Sequence, residues 1–399
     1  MNCKEPHILY LDLNSCFATI EQQANPLLRG KPVVVAAYTT PSGCILAPSI
    51  EAKRLGITLG MHVCEARALC PSVVVLPPDP QKYRFVNRKL TQLLSSYTPK
   101  LSVKSIDEMV LDLSNTPSRK KGMLAIAADI KQRIRAEIGD CIKVSIGIAT
   151  NRWLSKTAAS FKKPDGLTVI THKNVREILG TLSLSDLCGI KTGNRARLNS
   201  MGIFTPLEFL DADILTLKRA FHSIVGYYWH LRLRGWEADS IEFGRKTYGQ
   251  SYALPRVTAD TKILHKLLCK LVEKMGRRLR QGEHAARGVT LGCLFRDGTS
   301  FSKSRNFHEV LFTSNDLYVR ALNLLYSCPR KLVSNLRVSC FDLIPNPLRQ
   351  MSLFERENKR RSLAQAIDDV NERFGEFTLT PALMMGMEDT ILDRIAFGR

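Results

Sequence analysis

Several protein classes are excluded by what this sequence lacks. Among its 399 residues no stretch of eighteen or more is apolar, so there is no candidate for a membrane-spanning helix and no membrane partner is expected. The start, Met1-Asn2-Cys3-Lys4-Glu5-Pro6, is not a charged region followed by an apolar one, and a secretory signal is not expected. None of the eleven cysteines forms a Cys-x-x-Cys pair and no Cys/His cluster has zinc spacing, so the thiols read as reduced and the protein as cytoplasmic. Repeats and low-complexity stretches are missing. Acidic residues are scarce: 37 Asp+Glu stand against 58 Lys+Arg, a formal net charge of +21. Such an excess attracts a polyanion. Nucleic acid fits better than an anionic membrane surface, because no basic amphipathic helix with large apolar residues accompanies the charge. A merely soluble basic protein is the plainer alternative that charge alone leaves open.

The length exceeds what one core usually fills, so two to four domains are expected. Residues 7–13 read as a buried strand ending in an acid, and a helix follows from Ser15 to Gln23. A second apolar strand spans 31–38, and a helix runs from Ser49 to Leu55 with Gly56 as its stop. Pro77-Pro78 breaks the chain before a helix over 79–97. Val103 to Leu113 has strand composition interrupted by Ser105-Ile-Asp-Glu108; a helix near 120–138 and a strand over 143–149 come next. Asn151 is placed to cap a helix with Leu154, Ala158 and Phe161 on one face, ending at the turn Lys163-Pro-Asp-Gly166. Mixed strands and helices without a strict βαβ rhythm predict an α+β fold. Residues 171–236 read as short helices, 237–246 as a polar linker, and 247–345 as β-α-β-β-α-β, a split βαβ sheet with two helices on one face.

Asp12 ends a buried strand, and Asp107 and Glu108 are adjacent in another strand-like run. Neighbours in a strand point to opposite faces, so a tight hairpin at 105–108 is needed to bring both to one place. Three converging carboxylates repel unless cations sit between them. Two Mg²⁺ ions, with Mn²⁺ as the substitute, would relieve that repulsion and set up phosphoryl transfer. Spacing alone leaves a second reading open, in which Asp-Glu is a solvated turn and Asp12 a satisfied strand-end acid.

The surrounding residues carry a resemblance. Asp12-Leu-Asn-Ser-Cys-Phe-Ala-Thr-Ile-Glu21, Gly43-Cys-Ile-Leu-Ala-Pro-Ser-Ile-Glu-Ala-Lys-Arg-Leu-Gly56, Ser105-Ile-Asp-Glu108 and the segment Val144 to Gly166 resemble, in order and spacing, motifs of the Y-family DNA polymerases. The bacterial branch that contains polymerase IV and the polymerase V catalytic subunit is the most similar. The resemblance implies a right-handed polymerase: palm over 1–16 and 79–170, small fingers over 17–78, a helical thumb with a helix-hairpin-helix over 171–236, the linker 237–246, a little finger over 247–345, and a C-terminal tail over 346–399. It implies low-fidelity, template-directed translesion synthesis on primer-template DNA with dNTP substrates, in the cytoplasm at the nucleoid, by a monomer that an activating partner protein could assist. No separate segment is long enough for an exonuclease, so proofreading is not expected.

Residue by residue, the resemblance assigns Asp12, Asp107, Glu108 and the Leu13 carbonyl to the metals. Ser15, Cys16, Phe17, Lys53 and Lys163 go to the nucleotide, with Phe17 as the ring that excludes ribose. Backbone N–H groups from Leu13 to Phe17 would offer the triphosphate an anion site. Lys156, Gly189, Gly193, Lys303 and Arg305 go to DNA, the two glycines within Cys188-Gly-Ile-Lys-Thr-Gly193. Lys274, Arg277, Arg278 and Arg280 also suit phosphates, although cations favour helix C-termini in any case. Gln350-Met-Ser-Leu-Phe354 resembles the peptide that binds the bacterial sliding clamp, placing Leu353 and Phe354 in an apolar pocket with Gln350 beside it. Three positions depart from the family: Ile50 and Lys53 stand where Tyr and Arg are common, and Cys16 replaces a common aromatic. Isoleucine donates no hydrogen bond, and lysine supplies a point charge in place of a fork. Two rivals remain at this stage: a catalytically silent, clamp-bound scaffold, and another palm-type enzyme such as a nucleotide cyclase.

Overall fold

The computed structural model describes residues 1–240, 244–345, 355–393 and 395. They form two compact units, 1–242 with 394–399, and 243–393.

In chain order the first unit opens with β1 (Ile8–Leu13), α1 (Cys16–Ala24), β2 (Val33–Ala36), β3 (Ile45–Pro48), α2 (Ile50–Arg54), α3 (Val63–Leu69) and β4 (Val74–Leu76). It continues with α4 (Pro80–Ser95), β5 (Leu101–Val103), β6 (Glu108–Asp112), α5 (Met123–Glu137), β7 (Val144–Ala149), α6 (Arg152–Phe161) and β8 (Leu167–Val169). Five strands make one sheet in the order β5-β6-β1-β7-β8, with β1 antiparallel to both neighbours. The apolar run of β1 reads as a strand because both its faces are buried. Leu9, Leu11 and Leu13 join Phe17, Leu90, Leu94 and Ile130 on one side, while Ile8 and Tyr10 meet Val110 and Ala159 on the other. The three-stranded sheet β3-β2-β4 encloses a small core with Val34, Ile45, Ala52 and Ala66. Its strands β3 and β4 and the helix α3 escape a reading from sequence, being only four, three and seven residues long.

Short helices follow: α7 (Val175–Gly180), α8 (Thr192–Asn199), α9 (Pro206–Asp211), α10 (Ile214–Phe221) and α11 (Val225–Leu233). Thr205 and Asp213 accept from backbone N–H groups at the starts of α9 and α10, which fixes where each begins. Their core is aromatic, with Trp229 edge-on to Trp153 of α6 at 5.5 Å.

The second unit runs β9 (Thr247–Thr258), α12 (Thr261–Gln281), β10 (His284–Phe295), β11 (Ser300–Leu311), α13 (Ser314–Leu325), β12 (Val333–Pro345) and α14 (Glu355–Phe374). The strand order β11-β10-β12-β9 is antiparallel throughout and places β12 between β9 and β10, the split arrangement expected. Val289, Leu291, Cys293 and Phe295 turn to the buried face, against Leu268, Leu271 and Met275 of α12. Beyond α14, Met387 and Ile391 enter this same core. Two of the four cations near the end of α12, Lys274 and Arg280, need a different account from phosphate binding. Arg280 forms a two-pronged pair with Asp368 of α14 at 2.5 and 2.9 Å, and Lys274 reaches Glu376 at 3.4 Å. These two buried charges hold the C-terminal segment to the helix.

Candidate active site

The register of β1 and β6 sets Asp12 opposite Glu108. A hairpin carries Asp107: the N–H groups of Lys104 and Ser105 both donate to the Glu108 carbonyl, at 2.9 and 3.2 Å. The Asp107 carbonyl accepts from the Leu13 N–H at 2.9 Å, which ties the turn to the end of β1. Asp107 Oδ1 accepts from Ser105 Oγ at 2.5 Å.

Each acid of the strand pair has a lysine. Lys163 Nζ lies 2.7 Å from Asp12 Oδ1, and Lys156 Nζ lies 2.7 Å from Glu108 Oε1. The Tyr10 hydroxyl donates to Glu108 Oε2 at 2.8 Å. Burial pushes the Asp12 carboxyl above the usual carboxylate range; Lys163 pulls it down, and Glu108 and Asp107 add to the rise. Lys156 loses some charge stability to burial but is held above the ordinary lysine value by Glu108. Among the described residues no three His, Cys, Asp or Glu side chains stand together as a metal-holding group. Asp12 and Glu108 turn to ammonium groups here. The chemistry of the expected donor set still fits a hard divalent cation: three carboxylates and the Leu13 carbonyl, all oxygen.

Asp12, Asp107 and Lys163 border a cavity of about 580 Å³. Asp12, Leu13, Ser15, Cys16, Phe17, Lys53, Asp107 and Lys163 all line it, so eight of the residues expected at the site converge. Glu108 and Lys156 do not line it; Glu108 stands opposite Asp12 in the sheet and holds Lys156. The anion site at α1 is narrower than expected. The Leu13 and Asn14 N–H groups are taken by the carbonyls of Asp107 and Lys143, because strand pairing runs on past β1. Only from Ser15 onward does the first turn of α1 have N–H groups without intrahelical acceptors. Ser15 itself adopts a left-handed conformation, φ 52°. Its buried hydroxyl finds no hydrogen-bond partner among the described residues.

Phe17 is both a core residue and a wall. Its ring stacks on Tyr83 at 4.3 Å and 7°, and the Tyr83 hydroxyl donates to Glu21 at 2.9 Å. That stacking fixes the ring against the cavity. On the facing helix α2, Ile50 and Lys53 line the cavity, and so does Arg54. Arg54 went unread in the sequence; its only signal is a second basic residue beside Lys53. Burial, then Lys163, lowers the Lys53 ammonium from its ordinary value.

Elsewhere in the first unit, Gly189 has φ +91°, and a Cβ there would meet the Trp229 ring at 3.1 Å, so only glycine fits. Gly193 differs: a Cβ would meet open space, so its place on α8 is not forced by packing. In the second unit, Lys303 and Arg305 pair with Leu291 and Val289, whose side chains are buried under the helices. The two cations therefore stand on the helix side of the edge strand β11, with Lys303 donating to Ser327 at 3.1 Å. The opposite face carries Thr290, Ser304, Ser339 and Arg337, the last lying over Gly292. Arg337 was missed because cross-strand register is not written in a single strand's residues. Gln350, Leu353 and Phe354 lie outside the described residues.

Comparison with known proteins matches residues 11–160 to the impB/mucB/samB family and 245–353 to the impB/mucB/samB family C-terminal domain. DNA polymerase IV of Moorella thermoacetica is 33% identical over 386 residues, 95% of this chain and 96% of the relative. DNA polymerase IV of Pelotomaculum thermopropionicum is 31% identical, covering 97% of each. Among solved structures, a Y-family chimera of the polymerases Dbh and Dpo4 is similar with a TM-score of 0.74 at 27% identity, over 85% of this chain and 99% of the other. An insertion ternary complex of Dbh DNA polymerase matches over the same shares with a TM-score of 0.60 and 27% identity.

Proposed function

Because the chain belongs to the Y family of DNA polymerases, as a DNA-directed DNA polymerase of translesion synthesis, we propose that it adds dNMP to a primer end at the cavity between Asp12 and Phe17. The primer 3′-oxygen forms a bond to the α-phosphorus of a dNTP, the bond from that phosphorus to the bridging oxygen breaks, and pyrophosphate leaves. The observation that carries the reading is the Asp12–Glu108 strand pair, with Asp12 and Asp107 lining the cavity.

Asp12, Asp107 and Glu108 are the residues that would hold two Mg²⁺ or Mn²⁺ ions, with the Leu13 carbonyl as a further ligand. Bound there, such ions lower the pKa of the primer hydroxyl and neutralise the leaving phosphate. Lys163 and Lys156 compensate the buried acids. Lys163 stands beside Lys53 and Arg54 to meet the triphosphate. The Phe17 ring fills the space that a ribose 2′-hydroxyl would need, and the Ser15 hydroxyl is a donor for the nucleotide.

The five-stranded sheet serves as the palm, the three-stranded sheet as the fingers, the short helices as the thumb and the second unit's sheet as the little finger. Gly189 and the start of α8 grip DNA backbone. In the second unit, Arg337 on the open face joins Lys303 and Arg305 at the edge; such contacts position a duplex without reading its sequence. The reading extends to a monomeric, cytoplasmic enzyme that reaches the sliding clamp through Gln350, Leu353 and Phe354, a point supported by sequence alone. Among the described residues no helix is long and apolar enough to cross a membrane.

Primer extension on a defined template with Mg²⁺ tests the site. Wild type should incorporate the templated dNTP, and Asp107→Ala with Glu108→Ala should abolish this while DNA binding persists. Extension surviving in the double variant would refute the carboxylate reading. For the clamp, Leu353→Ala with Phe354→Ala should remove binding to the isolated clamp and leave clamp-free extension intact; undiminished binding would refute that assignment.

A further inference from the structure

Beneath Lys163 lies a buried polar network to which the mechanism gives no part. Asn14, just past the end of β1, and Ser145 on β7 are 4% and 0% exposed. The Asn14 amide donates to Ser145 Oγ at 3.0 Å, and Ser145 Oγ donates back to Asn14 Oδ1 at 3.1 Å. Each then holds one of two consecutive amides: Asp165 N–H donates to Asn14 Oδ1 at 2.7 Å, and Gly166 N–H to Ser145 Oγ at 3.2 Å. From outside, α5 clamps the same turn. Lys131 and Arg135 reach the Asp165 carboxylate at 2.9 and 2.7 Å, and Lys131 also donates to the Asp165 carbonyl at 2.5 Å. A Cβ on Gly166 would stand 2.0 Å from the Lys162 carbonyl, so the turn admits no other residue there without shifting.

An apolar pair would fill the space of Asn14 and Ser145 but leave the Asp165 and Gly166 N–H groups without their acceptors. What the polar pair adds is geometry, since a fully satisfied buried network specifies one arrangement. We infer that Asn14 and Ser145 are positioning residues that latch the 162–166 turn, leaving the Lys163 side chain alone to swing between Asp12 and the triphosphate of an incoming nucleotide. The inference rests on the reading of the cavity given above.

The test is a double-variant cycle on single-nucleotide incorporation by the full chain. Ser145→Ala removes the hydroxyl shared by Asn14 and Gly166, and should raise KM for dNTP about tenfold, the worth of one hydrogen bond to a charge-bearing element. Turnover should stay within about twofold, since the reacting oxygens are untouched. In a Lys163→Ala background the same change should leave KM where Lys163→Ala put it. Lys131→Met, made at the outer clamp, should repeat the pattern with a smaller effect and serves if Ser145→Ala does not fold. Independent, multiplicative effects of the latch and Lys163 variants, or an unchanged KM in folded Ser145→Ala, would overturn the latch. Failure of the site reading shows separately, as extension that survives Asp107→Ala with Glu108→Ala.

Discussion

Replacing Asp12 by asparagine should make the protein harder to melt and unable to polymerise. The carboxylate is buried beside two others, and its charge is disfavoured by burial despite Lys163. The Lys163 side chain is 40% exposed, so the pair contributes at most about 1 kcal/mol. Desolvating a polar group without full compensation costs about 1–3 kcal/mol. Asparagine keeps an oxygen for Lys163 and removes the charge, so a net gain of about 1 kcal/mol is expected without divalent cations. For a unit of this size that raises the melting temperature by about 2–4 °C. Magnesium should reverse the order. A cation bound to the folded wild type at a hundred times its Kd stabilises by about 2.7 kcal/mol, a gain the variant largely forfeits. The assay is thermal melting of both proteins at pH 8, in EDTA and then in Mg²⁺, with primer extension alongside. If Asp12→Asn melts below wild type in EDTA, Lys163 outweighs burial and repulsion, and the case for a cation-demanding cluster fails. Equal Mg²⁺ shifts in the two proteins would refute the role of Asp12 in holding the ion.

Phe17→Ala should raise the rNTP-to-dNTP ratio of kcat/KM about a hundredfold, measured by single-nucleotide extension, and cost roughly 3 kcal/mol of stability through the lost stack on Tyr83. Arg54→Ala should raise KM for dNTP about tenfold, and Arg54→Lys should recover only part, because a lysine offers no fork to phosphate oxygens. In the second unit, burial holds the Glu273 carboxyl above its usual range, against the pull of Ser314 and Arg280, with Asp368 adding to the rise. A carboxyl whose folded pKa is raised gives stability at low pH that is lost as pH rises through that value. Glu273→Gln should therefore melt with wild type near pH 4 and above it at pH 8; a gap that shrinks as pH rises would refute the burial account.

Elements long enough to show a period were legible. The leucines of α12 and the alternation of β10 mark one face each, and together they predict which side of the split sheet is covered. The strands β3 and β4 left no such trace: they are held by the pairing of Val34 with Pro48 and Val75, which no window of their own residues contains. Charge was legible as a total and less so by position. Arg280 and Lys274 look like any cluster at a helix end until Asp368 and Glu376, some ninety residues on, are brought beside them. The acids are the sharpest case. Asp107 and Glu108 are neighbours, and in a strand they would face apart. Both come close to Asp12 because β6 begins at Glu108, whose pairing with Asp12 fixes its side, while Asp107 is still in the turn and free of the strand's alternation. The hairpin that allows this is signalled by Ser105, whose hydroxyl donates to Asp107 and so holds the turn that aims it. A motif of four residues thus encodes a bend and two acids at once. This is why the same Asp-Glu pair placed two positions further into β6 would point its two acids to opposite faces of the sheet.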